Sequence, residues 1–475
     1  MRLPSKRLIQ DKIINSGTKK SIEYLIKNRT VLSKYRDIED FILRDEEWAT
    51  QTDEDPKILQ GCEYHLSKVR NRFAKELWSR DFYLGISVLD DLLFSSFARS
   101  ETNEPLIEAL DTIRDSGVLR PGLVIYPLHS LGVLGAGLVY SYTSSKIAFF
   151  LNNYGLAFTP QTNSMAATTE FLESVVSALG VRKTLPHDLL DHWRRSRSLK
   201  WLERNPLLVL KVHSFPGSYY ENQFFLVCKL KAATALACML YALQPYSKEH
   251  GGAFFSSSRT NNWETLDIKH YLLLYPKPYR RILTGDCIPM NAGQAALAEL
   301  SEVPVQIDPK FWQRRIPLSG QITDALTKTV TGFASHHLSS NKKAPIGRVY
   351  RKLFRSLEFY KKSFRQREDI GESAVLLAVA FELLLTDNYA PGVTNRIVDR
   401  MSLLLKGVPG IKSFKKAVEA LYSVRSMYVH SGFIDDSLDL KTSRVAFIHA
   451  FLTLSNRLTA IPHRTEEPIR YLIEK

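Results

Sequence analysis

The chain is poor in cysteine. Cys62, Cys228, Cys238 and Cys287 are scattered through 475 residues, and no two form a C-x-x-C pair. Neither a zinc ribbon nor a redox dithiol is expected, and four thiols in a chain of this size fit a reducing cytoplasm. No G-x-x-x-x-G-K-[ST] loop is present, which argues against P-loop nucleotide hydrolysis. Gly132 to Gly137 is glycine-rich but lacks the G-x-G-x-x-G order of a dinucleotide site. H-E-x-x-H is missing, and neither His187 with His192 nor His336 with His337 has partners at metal-ligand spacing, so no metal site is expected. The basic start, Met1 to Arg7, is followed by no apolar core and does not read as a secretory signal. A long, mostly apolar stretch without formal charge runs from Leu123 to Tyr142. It holds Pro127, His129, Ser130 and three glycines, and reads as a buried strand-turn-helix or buried helix rather than a membrane span. Long repeats and low-complexity segments are also missing.

What remains is a folded, basic protein. Hydrophobic residues make up 44% and charged residues 24%, the balance of a globular chain, and the length calls for two or three domains. A net charge of +15 favours an anionic partner, with nucleic acid ahead of a membrane surface. Residues 1–115 read as helical and polar. Residues 116–340 read as mixed, either α/β or helical: Leu207 to Val212 is strand-like, and Phe224 to Leu230 is either a strand or the start of a buried helix continuing to Leu243. Between Trp193 and Trp201, aromatics alternate with cations in a way that suits base stacking beside phosphates, although an exposed helix face has the same pattern. Residues 335–347 read as a linker.

The rest, 346–465, reads as a helical bundle, so the fold class is mainly α. From Lys342 to Arg367 there are ten Lys or Arg and one acid, Glu358. Val349, Leu353, Leu357 and Tyr360 line one side of the implied helix. Its cations Lys361, Lys362 and Arg365 are candidate contacts to an RNA backbone. Glu372 to Leu385 is apolar nearly all round, with Glu382 the charge in its last turns. Thr394 is placed to cap a helix ending at Lys406-Gly407. Ser413 to His430 and Leu440 to Ile461 complete five helices, and Asp439 with Asp435 and Asp436 forms the acidic start of the last.

The most pointed feature is Arg425-Ser426-Met427-Tyr428-Val429-His430. Phe414, Val418, Leu421, Arg425 and Tyr428 step by three and four, so Arg425 lies in an apolar stripe. A charge there is either paired or facing a polar hole in an interface. At about 100° per residue, His430 falls about 140° round from Arg425. Convergence therefore needs a distorted helix near Ser431-Gly432, or two copies pooling their residues. Arg neutralises phosphate charge and His moves protons near neutral pH, and phosphodiester cleavage without a metal needs both abilities.

The segment resembles the R-x4-6-H signature of HEPN endoribonucleases, and its Arg425-Ser426 and Val429-His430 pairs resemble the Apea-like branch. The resemblance covers about the last quarter of the chain, from Ala380-Phe381-Glu382-Leu383-Leu384 onward. It departs where Ser426 replaces the usual Asn, Asp or His after the arginine, and where Ser431 is inserted before Gly432. The resemblance implies a cofactor-free, metal-independent endoribonuclease with Arg425 and His430 as catalytic residues. Ser426, Glu382 and Tyr428 would support them. It further implies a homodimer or higher even oligomer, cellular RNA such as tRNA as substrate, and a phage-linked trigger with no membrane partner. A non-catalytic RNA- or nucleotide-binding module is the alternative.

Overall fold

The computed structural model describes residues 11–42, 55–78, 86–100, 104–115, 122–127, 156–159, 162–180, 184–185, 187–195, 199–204, 207–212, 223–245, 271–274, 282–285, 311–312, 314–337, 344–364, 370–388, 392–432 and 438–475. The fold is mainly helical. Amphipathic segments at the N-terminus form α1 (Lys19–Lys27), α2 (Arg29–Leu32), α3 (Ile38–Ile42), α4 (Pro56–Trp78), α5 (Ile86–Arg99) and α6 (Pro105–Asp115). They enclose their own core, built on Leu25, Phe41, Phe73, Phe94 and Phe97.

The middle region contributes a five-stranded antiparallel sheet. Its strands are β1 (Gly122–Pro127), β2 (Leu156–Thr159), β3 (Leu207–Val212), β4 (Tyr271–Leu274) and β5 (Ile282–Gly285), in the order β2-β3-β1-β4-β5. Ile125 pairs with Val209 across β1 and β3. Both are buried against α7 (Met165–Ala178) and α8 (His187–Arg195), which supply Leu172, Val176 and Trp193. A short α9 (Trp201–Arg204) precedes β3. The uncharged stretch expected at Leu123 to Tyr142 thus begins as a strand, and its part beyond Pro127 lies outside the described residues. No helix among the described residues is long and apolar enough to cross a membrane.

The third and largest core begins at α10 (Gln223–Leu243), the helical alternative for that segment, and continues through α11 (Ile316–His337). It then takes in α12 (Pro345–Lys362), α13 (Ile370–Leu385), α14 (Val393–Leu404), α15 (Ile411–Ser431), α16 (Leu440–Arg457) and α17 (Pro468–Glu474). Pro345 suits the first position of α12, where its missing N–H costs nothing. The stripe Val349, Leu353, Leu357 and Tyr360 is buried as its spacing implies. The expected linker does not end the core. Phe333 of α11 stacks on Phe354 of α12 with centroids 4.3 Å apart, so two helices before the linker share the bundle's interior.

Ends of elements follow local chemistry. Asp439 caps α16, its Oδ1 accepting from the Thr442 N–H at 2.9 Å, while Asp435 and Asp436 lie outside the described residues. Thr394 is not a cap. The chain enters α14 from Gly392 at φ +69°, so the helix starts earlier and Thr394 sits inside its first turn. Past Leu404 the backbone turns through Gly407 at φ +86°. The helix expected to run to Ile461 stops at Arg457, followed by a single 3-10 turn, Leu458–Ala460. The further helix α17 has its N-terminus capped by Asp387, whose oxygens accept from the N–H groups of Ile469 and Arg470. At its other end Arg457 donates to the carbonyls of Leu472 and Ile473.

Candidate functional site

Helix α15 carries the motif. It starts from Gly410 and runs without interruption to Ser431, where Gly432 adopts φ +67° and donates its N–H to the Tyr428 carbonyl at 2.9 Å. Glycine suits that left-handed cap because it has no Cβ to clash. Of the two geometries left open by the sequence, the helix takes the undistorted one. Arg425 and His430 therefore diverge.

The inner side of α15 packs on α13. Tyr422 is buried and its hydroxyl donates to the Ala378 carbonyl at 3.1 Å. Tyr428 lies against Gly371, so close that a Cβ there would stand 2.3 Å from the ring. These contacts advance in opposite directions along the two chains, so the helices are antiparallel. Between them Arg425 Nη2 faces Glu382 Oε1 at 3.6 Å. This is an ion pair without a hydrogen bond, and Arg425 Nε is buried with no hydrogen-bond partner. The Arg425 side chain remains 35% exposed. A pair this accessible contributes only about 0–1 kcal/mol, so Glu382 steers the guanidinium more than it stabilises the fold. The guanidinium keeps N–H donors for a further anion. Burial raises the Tyr422 hydroxyl well above its ordinary pKa, the Glu382 charge adds to this, and Arg425 opposes it. Tyr422 therefore stays a neutral donor.

The outer side of α15 carries the remaining motif residues. Ser426 and His430 are exposed, as are Met427 and Val429. Ser431 donates to the Met427 carbonyl at 2.7 Å and closes the last turn. His430 stands in the last turn of the helix. At about 100° per residue Lys412 shares the azimuth of His430, and Lys415, Lys416, Ser423 and Ser426 lie within about 60° of it. All of these side chains are exposed.

Of the expected RNA contacts, Lys361 is corrected. It is 2% exposed and lies close enough to Cys238 of α10 to act on that buried thiol, whose pKa burial pushes up to about 12. A helix from outside the expected bundle covers this part of α12. Lys362 is half-buried, its ammonium 5.9 Å from the Phe359 ring centre, and Arg365 lies outside the described residues. Trp193 is a core residue and cannot stack on bases, although Arg194 and Arg195 beside it are exposed. Sequence reasoning missed Tyr422, which stands one helical turn before Arg425 on the same face, and Gly371, whose lack of a side chain lets Tyr428 approach.

The chain matches no family model, no curated protein and no solved structure.

Proposed function

We propose that the C-terminal bundle is a HEPN-type ribonuclease module that cleaves RNA without a metal. The observation that carries this reading is the arrangement on α15. Arg425 is steered by Glu382 yet keeps free donors, and His430 is exposed five residues on along an unbroken helix. Arg425 would hold the scissile phosphate and stabilise its growing negative charge. His430 would take the 2′-hydroxyl proton as that oxygen attacks phosphorus, or deliver a proton to the departing 5′-oxygen. The products would be a 2′,3′-cyclic phosphate and a 5′-hydroxyl. Since the two side chains leave the helix in different directions, the working site would combine residues from two copies. The regions before α10 would sense a trigger, and the biological setting we propose is defence against phage by destroying cellular RNA.

The test is RNA cleavage by the purified protein. Arg425→Ala and His430→Ala should each abolish it with circular dichroism unchanged, and EDTA should have no effect. The double variant should be no worse than either single one, because residues acting as a unit are not additive. Wild-type cleavage by His430→Ala would refute the nuclease reading. It would leave the non-catalytic RNA-binding module, which the exposed lysines on the His430 face also suit.

A further inference from the structure

A second concave surface lies apart from the motif helix. It is a cleft of about 500 Å³ between the start of α12 and the segment that follows α16. Ile346, Tyr350, Leu458, Ile461 and Pro462 supply apolar walls, and His463 and Arg464 stand at its edge. The walls are fixed. Tyr350 stacks on His336 with centroids 5.6 Å apart and fits against Gly332, where a Cβ would lie 2.1 Å from its ring. Arg348 donates to the carbonyls of Thr465 and Glu466, both at 3.0 Å, holding the far wall to α12.

The charge at the edge is uncompensated. His463 and Arg464 are exposed and, among the described residues, meet no carboxylate and no hydrogen-bond acceptor. The neighbouring acid Glu467 pairs with Arg470 instead, at 3.0 Å. The same cleft takes in the N-terminus of α12, and Ala344 has no side-chain oxygen to cap it. A helix start of this kind favours negative charge. Size, apolar walls and a few convergent polar groups are the ordinary attributes of a small-molecule site.

We infer that this cleft binds a small ring compound carrying a phosphate, of the size of a mononucleotide. The ring lies among Tyr350, Ile346 and Ile461, and the phosphate reaches Arg464 and His463 at the N-terminal end of α12, whose first N–H comes after Pro345. The Arg464 guanidinium, a ring nitrogen of His463 and a helix start favour a dianion over a single carboxylate. The inference does not depend on the nuclease reading, since none of its residues belongs to α15.

The experiment is calorimetric titration of the full chain with AMP, with adenosine and inorganic phosphate as separate arms. AMP should bind, and at least about tenfold more tightly than either fragment, because each fragment fills half of the cleft. Arg464→Ala should weaken AMP about tenfold, the usual effect of removing a charge-assisted hydrogen bond. Thr459→Phe, at an exposed lining position, should block the ring and remove AMP binding while leaving the unfolding temperature unchanged. No heat with AMP at about 1 mM, or AMP affinity unchanged in Arg464→Ala, would overturn the proposal. Phosphate binding as tightly as AMP would overturn the ring half of it. Should Thr459→Phe fold poorly, Arg464→Ala still decides, since Arg464 is exposed and makes no ion pair or hydrogen bond among the described residues.

Discussion

Glu382 and Arg425 form a contact whose value is geometric. Replacing Glu382 with Gln removes a negative charge beside the proposed phosphate and the steering of the guanidinium together. RNA should then bind more tightly while turnover falls, so KM and kcat both decrease. Stability should change by less than about 1 kcal/mol, as for any accessible pair. Steady-state kinetics with chemical denaturation separate these outcomes, and a fall in kcat with unchanged KM would remove the electrostatic half of the argument. Gly371 is the opposite case, where shape matters and charge does not. Gly371 is the second residue of α13, so alanine gains there less than the roughly 1 kcal/mol of helix propensity that it gains in a helix interior. Overpacking against the Tyr428 ring costs about 1–3 kcal/mol, so Gly371→Ala should lower stability on balance. Denaturant unfolding of that variant measures the difference, and a more stable protein would mean that Tyr428 swings away freely.

Among the elements, the legible ones are those whose partners lie nearby in sequence. The stripe from Val349 to Tyr360 and the Phe414-Val418-Leu421 stripe each announce a buried face by spacing alone, and both are buried. Leu207 to Val212 is a strand with those bounds. The failures come from distant partners. Lys361 reads as a surface cation because nothing local shows that α10 covers it. Thr394 reads as a cap because its residue type suits one, while the helix starts two residues earlier from Gly392. Helix α17 escapes a sequence reading because it is short and lies beyond Pro462, and what makes it a helix is Asp387, far back in the chain. That cap is testable. Asp387→Ala should cost about 1 kcal/mol, the usual value of an N-cap, and should raise hydrogen exchange in α17 first. Equal protection throughout α17 would show that its buried Leu472 and Ile473 hold it alone. On α15, Lys412, Lys415 and Lys416 share the His430 side over a span of about 27 Å from Lys412 to His430. Changing all three to Gln should weaken binding of unrelated single-stranded RNAs and reduce the log-log salt slope by about 0.7 for every phosphate no longer neutralised. An unchanged slope in a filter-binding series would move the RNA path off this helix.

At the scale of the whole molecule, the diverging motif residues make the proposed site a question of assembly. If two copies complete one site, light scattering should give a dimer or a larger even oligomer, and RNA should not be needed to form it. A strictly monomeric protein that still cleaves RNA would reject the composite site. The basic balance of the chain belongs to this scale too. A net charge of +15 raises encounter rates with any polyanion, so cleavage at limiting RNA should slow as salt rises through the range in which the Debye length falls below about 10 Å.

The stacking of Phe333 on Phe354 has an implication for how such a chain is inherited. A bundle whose interior is filled partly by helices from upstream of the linker cannot be spliced onto a different front half at that linker. Cutting near residue 345 would strip α10 and α11 from the bundle and leave their apolar imprint facing water. Exchange of the front region between relatives would have to break before α10 instead, and that position, rather than the charged and serine-rich stretch around 340, is where the unit of recombination should begin.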